Sequence, residues 1–184
     1  MRKAIAALGL ALTVFAGGAG SAATLAENNE AMYRLMMEKR GVTAAQISRI
    51  RQIFDSTGRT GQGNPAVTRH PMTPQQAAAK VPGDPYQYYR NAQFERICGR
   101  KYMAPLYDPA TQRPEDATVC VDMFEYPNVP MAYPVTWISA RNAALTCAAE
   151  GKRMGDAHEW EGAAAGALLE PDYRFDLGSH GAMR

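Results

Sequence analysis

Between residues 119 and 168 the apolar pattern changes period twice, and this restricts the fold more than any other stretch of the chain. Val119, Val121 and Met123 alternate with Cys120, Asp122 and Phe124, as on a strand with two differing faces. Val135 and Trp137 predict one face of a second strand. Ser139 then caps a helix over 140–150, whose Ala140, Ala143, Ala144, Cys147 and Ala148 make a small-residue side suited to lie against a sheet. Gly151 stops it. Asp156 and Glu159 form a capping box that opens another helix, with Trp160, Ala163, Ala164, Ala167 and Leu168 as its apolar stripe. Gly162 and Gly166 each cost that helix about 1 kcal/mol of propensity, which points to close backbone packing. Strand, helix, helix, with no phosphate-binding βαβ loop, predicts an α+β fold.

The N-terminus is a different kind of segment. Arg2 and Lys3 precede an apolar run from Ala4 to Ala16, and small residues around 17–23 supply a cleavage site. The run is shorter than the roughly 20 residues a membrane span needs, so a signal peptide cleaved after Ala23 is expected, with Ala22 or Ala26 as alternatives. Export to the periplasm or outside the cell follows, with no transmembrane segment after signal removal. Residues 1–23 carry two basic and no acidic side chains, so the formal charge of +2 falls to zero in the mature chain. A neutral chain gives no electrostatic case for binding nucleic acid or an anionic membrane.

Residues 24–55 read as a helical hairpin. Met32, Leu35, Met36 and Lys39 share a face, Gly41 stops the first helix, and Thr43 with Gln46 forms a capping box for the second. Ile47, Ile50, Ile53 and Phe54 stripe that second helix, a face for the two helices to pack on each other or on the main domain, with a partner-binding or membrane-surface face as the alternative. Residues 56–95 are punctuated by glycine and proline too often for long regular elements, with one short helix expected near 73–80 behind Thr73-Pro74. Tyr102, Ala104 and Leu106 predict a short strand, and 108–118 a surface loop. Residues 96–184 form the last unit.

Candidate chemistry is sparse. Asp156, His158, Glu159 and Glu161 would allow a metal site to be drawn, but capping accounts for Asp156 and Glu159, and no metal ligand is assigned. Lys152-Arg153 either faces an acidic partner or serves the domain's own structure. His70, between Arg69 and Pro71, is an acid or base only with its loop folded over a site. No catalytic or cofactor-binding residue is assigned. Cys98, Cys120 and Cys147 allow one disulfide and one leftover thiol in an oxidising compartment, in three pairings. Closing the polar, turn-rich span between Cys98 and Cys120 would contribute about 3 kcal/mol, which favours that pair.

Three stretches resemble the opening of the formylglycine-generating enzyme (sulfatase-modifying factor) domain. They are Cys-Val-Asp-Met-Phe-Glu-Tyr-Pro-Asn from Cys120, Pro-Val-Thr-Trp-Ile-Ser-Ala from Pro134, and Gly-Lys-Arg-Met with the later Glu-Trp-Glu from Gly151 to Glu161. Residues 61–72 also resemble a segment upstream of some exported members. The resemblance implies a partial C-type-lectin-like α+β fold preceded by a helical N-terminal extension. It implies an exported parent protein with oxidase-like activity on a protein or small molecule, or else a non-catalytic exported binding module for an unidentified protein or small-molecule partner. The family's copper, held by a cysteine pair, and its calcium have no ligands that map onto this chain. The catalytic segment is expected beyond Arg184, which leaves the faces bearing Trp137 and Trp160 in need of cover. Exported relatives carry extra cysteines where this chain has Met131, Gly155 and Ala164. The resembling fold also sets its strand beside its helix, which makes Cys120–Cys147 the alternative bridge.

Overall fold

A computed structural model describes residues 23–62 and 72–165. The chain opens on α1 (Leu25–Leu35), whose N-cap Thr24 and Glu27 close a reciprocal capping box. One π-helical turn, Met36–Arg40, continues it and ends at Gly41, where φ is +75° and a side chain would be strained. Thr43 and Gln46 cap α2 (Ala44–Asp55) as the spacing predicts. Met32, Tyr33 and Met36 meet Ile47, Ile50 and Phe54 between the two helices.

The hairpin's two helices pack on each other and on the rest of the fold. Their apolar faces form one core with Val129, Ala149 and the partly buried Tyr126, Ala132, Val135 and Ile138. Residues 24–55 therefore supply about half of the interior of the unit they precede in sequence.

The segment 56–95 holds more helix than expected. Beside α3 (Pro74–Ala78), capped by Thr73, there are α4 (Pro85–Tyr88) and the start of α5 (Ala92–Cys98). Asp84 accepts from the Tyr86 amide ahead of Pro85, and Asn91 accepts from the amides of Gln93 and Phe94. Local cap chemistry thus starts two helices that the density of prolines and glycines obscures in the sequence.

Among the described residues there are also two small antiparallel sheets. In one, β2 (Met103–Leu106) pairs with β3 (Val119–Asp122), with Met103 opposite Asp122 and Leu106 opposite Val119. In the other, β1 (Gly61–Gln62) pairs with β4 (Val135–Thr136). Gly61 is required there: a Cβ would lie 2.2 Å from Asn29 Oδ1, the atom that accepts from the Gln62 amide. The architecture is mixed α+β.

Three expectations change. Trp137 is not in the second strand, which ends at Thr136; it sits at φ +56° and is 75% exposed. The Thr60 hydroxyl donates to its carbonyl at 2.8 Å and holds the chain at this turn. α6 (Ala140–Ala149) forms behind Ser139, but Ala140, Ala144 and Ala148 are exposed, whereas Thr146, Ala149 and Glu150 are buried. α6 packs on α2 and carries its buried charge at its C-terminal end, so that end and not alanine content selects the inner face. In α7 (Ala157–Ala165) the inner positions are Glu159 and Gly162, while Trp160, Ala163 and Ala164 face out. Ala167, Leu168 and Gly166 lie outside the described residues.

Candidate functional site

Two of the three resembling stretches meet at one polar brace. Lys152, just past α6, donates its ammonium to both oxygens of Asp122 on β3, at 2.6 and 2.8 Å. Asn128, fully buried at φ +55°, completes the same carboxylate: its Nδ2 donates to Asp122 Oδ1 at 2.8 Å and to the Tyr102 carbonyl at 2.9 Å. Its Oδ1 accepts from the Phe124 amide at 3.1 Å. Asparagine suits this position because it tolerates the left-handed region and offers donors and acceptor together. The turn between them contains a cis Tyr126–Pro127 bond.

A buried ion pair lies on the other side of that turn. Arg40, delivered by the π-helical turn, donates to both oxygens of Glu150 and to the Pro127 carbonyl at 2.7 Å. Its side chain is 4% exposed and that of Glu150 is 1% exposed. Burial alone would push Glu150 upward, but the Arg40 guanidinium, with Lys152 at 3.6 Å, holds its carboxyl below the ordinary range. Burial pushes the Tyr126 phenol upward, and the Glu150 charge adds to that. Charge, carbonyl and phenol therefore join the N-terminal helices to the end of α6.

The sequence candidates separate cleanly. Lys152 serves the domain's own structure through Asp122. Arg153 pairs with Glu159, which also accepts from the Asp156 amide at 3.0 Å, while Asp156 accepts from the Glu159 amide at 2.8 Å. The capping box explains this cluster, and His158 lies half-buried beside it with Nδ1 unpartnered. His70 lies outside the described residues.

Cys98, the last residue of α5, is bonded to Cys120 of β3. Cys147 is a half-buried free thiol, pushed up by burial, with Lys152 opposing. The copper of the resembling family does not fit these cysteines: two are joined to each other and the third stands alone. Among the described residues, no three His, Cys, Asp or Glu side chains gather in a way that could hold a metal ion. Nor is any helix among them long and apolar enough to cross a membrane.

The Arg40–Glu150 pair and the Asn128 hub are what sequence reading misses. The partners of the first are 110 residues apart, and only the Tyr-Pro-Asn turn hints at the second. No protein family, curated protein or solved structure matches this chain.

Proposed function

We propose that this chain belongs to an exported protein of the formylglycine-generating-enzyme-like group, and that its described residues form scaffold for the parent's oxidase-like modification of a protein or small molecule. The carrying observation is the meeting of two resembling stretches at one carboxylate: Asp122 from Cys-Val-Asp, Lys152 from Gly-Lys-Arg, and Asn128 closing the set. Spacing alone does not require those stretches to touch, and a shared brace is a reason for them to occur together. Export is supported by the place where the first helix begins, at the Thr24 cap immediately after the expected cleavage site.

The test uses the whole gene product with copper, oxygen and a sulfatase-motif peptide, reading loss of the peptide's cysteine mass. Turnover by the whole product, and none by residues 1–184 above a protein-free copper control, is expected. Turnover by residues 1–184 alone would put the chemistry within this chain. Mass spectrometry of exported protein should find a mature N-terminus between Thr24 and Glu27, and Met1 retained in the cytosol would sink the export reading.

A non-catalytic binding module is the second reading. It is favoured by Trp137 and Trp160, which are 75% and 71% exposed. Large aromatic side chains facing solvent are interface material. No turnover by the whole gene product, with a partner protected against labelling at these two indoles, would select it.

A further inference from the structure

A cavity of about 430 Å³ opens where the π-helical turn, the end of α5 and the end of α6 come together. Its charged lining has an imbalance that appears once internal bonds are counted. The acceptors are already engaged. Both oxygens of Glu95 accept from Arg90, and both oxygens of Glu150 accept from Arg40. Gln46 Oε1 takes the Thr43 amide and hydroxyl. The Glu150 carbonyl takes Arg100 Nη1 at 2.7 Å.

The donors are not engaged to the same degree. Among the described residues, Arg100 keeps the rest of its guanidinium fork, Gln46 keeps its Nε2, and Lys101 makes no hydrogen bond or ion pair, its charge acting on the Glu95 carboxylate that Arg90 already holds. A guanidinium, an ammonium and an amide N–H around a cavity larger than a simple ion call for a ligand rich in acceptors.

We propose that this cavity binds a small oxyanion-bearing molecule, gripped by Arg100 and Lys101 with the Gln46 amide as third donor. The site neighbours the Asp122 brace through Glu150, but its proposed donors take no part in that brace, and it does not depend on the family reading. A carboxylate and a phosphate present the same acceptor chemistry, so both are tried.

The experiment titrates the full chain with inorganic phosphate and, separately, with acetate, by calorimetry and by melting temperature. Saturable one-to-one binding is expected, with the stronger arm naming the oxyanion. Lys101→Glu, which breaks no internal bond, should weaken it about tenfold or more. Arg100→Gln should do the same, and circular dichroism shows whether its fold survives loss of the Glu150 carbonyl contact. Lys80→Gln, an exposed lysine elsewhere, should leave affinity unchanged. Three results would overturn the proposal: no saturable binding in either arm, equal loss in Lys80→Gln, or full binding by Lys101→Glu.

Discussion

The hairpin side of the molecule and the disulfide side are held by different forces. Around α1, α2 and the inner end of α6, large apolar side chains are removed from water almost completely; Met36 and Ile50 are 0% exposed and Phe54 1%. Around α5 and β3 burial is thinner: α5 has no buried residue and the four residues of β3 are only half-buried, with Tyr102 and, in the neighbouring β2, Met103 and Leu106 as the local core. There the Cys98–Cys120 bond, the Arg90–Glu95 pair and the Asp122 brace take over. A short sheet of two strands is marginal alone, so a covalent tie and a satisfied carboxylate reinforce its small core of Tyr102, Met103 and Leu106. The Arg40–Glu150 pair sits at the junction and belongs to both sides.

The sharpest way to break this contrast is Phe54→Ala. It should cost about 3–5 kcal/mol, read as a lower denaturation midpoint for the whole chain, because the cavity falls in the shared core. A loss confined to α2 by hydrogen exchange would show that the hairpin is a separate unit.

Arg40→Met should come next, at about 3 kcal/mol, since it strands the Glu150 carboxylate in the interior. Adding Glu150→Leu should recover most of that loss. A double variant no better than the single one would mean that the Pro127 carbonyl contact, not the charge pair, matters.

Replacing Cys98 and Cys120 together by serine should cost up to about 3 kcal/mol. Amide exchange should accelerate in β2 and β3 first, with α1 and α2 still protected. Uniform acceleration would erase the distinction between the two sides. Non-reduced peptide mapping that finds Cys120 joined to Cys147 would overturn the bridge itself.

The smallest effect is at α7. The Arg153 side chain and the Asp156 amide hold the Glu159 carboxyl down from its ordinary 4.5 to about 2. A depressed folded value means that its stabilisation is complete above pH 4.5 and drains away as pH falls toward 2. Amide exchange in α7 should therefore quicken over that window while α1 and α2 hold. Glu159→Gln should flatten the pH dependence.

Caps were the most readable part of the chain. Thr43 with Gln46, Thr73 with Pro74, Ser139, and Asp156 with Glu159 each act on backbone amides within three residues, so local sequence suffices to place those helix starts. The same chemistry at Asp84 and Asn91 was equally local but hidden among turn residues. Stripe reading succeeded for α2, whose large apolar residues Ile47, Ile50, Ile53 and Phe54 all turn to the core. It failed for α6, where half the residues are alanine and carry little burial energy to prefer one side, and for α7, where the Glu159 capping contacts turn that residue inward and Trp160 outward.

By itself, then, the sequence determined where α2, α3, α6 and α7 start, the apolar face of α2, and the stop at Gly41. The tertiary structure decided the rest: that Trp137 turns outward, that Glu150 turns inward to Arg40, and that Lys152 reaches Asp122 with Asn128 between. The physical reason is reach. A cap or a helical stripe is satisfied by neighbours a few residues away. A buried charge is stable only where its partner waits, and here those partners come from the π-helical turn after α1, from β3 and from the end of α6, brought together by packing that no local pattern encodes.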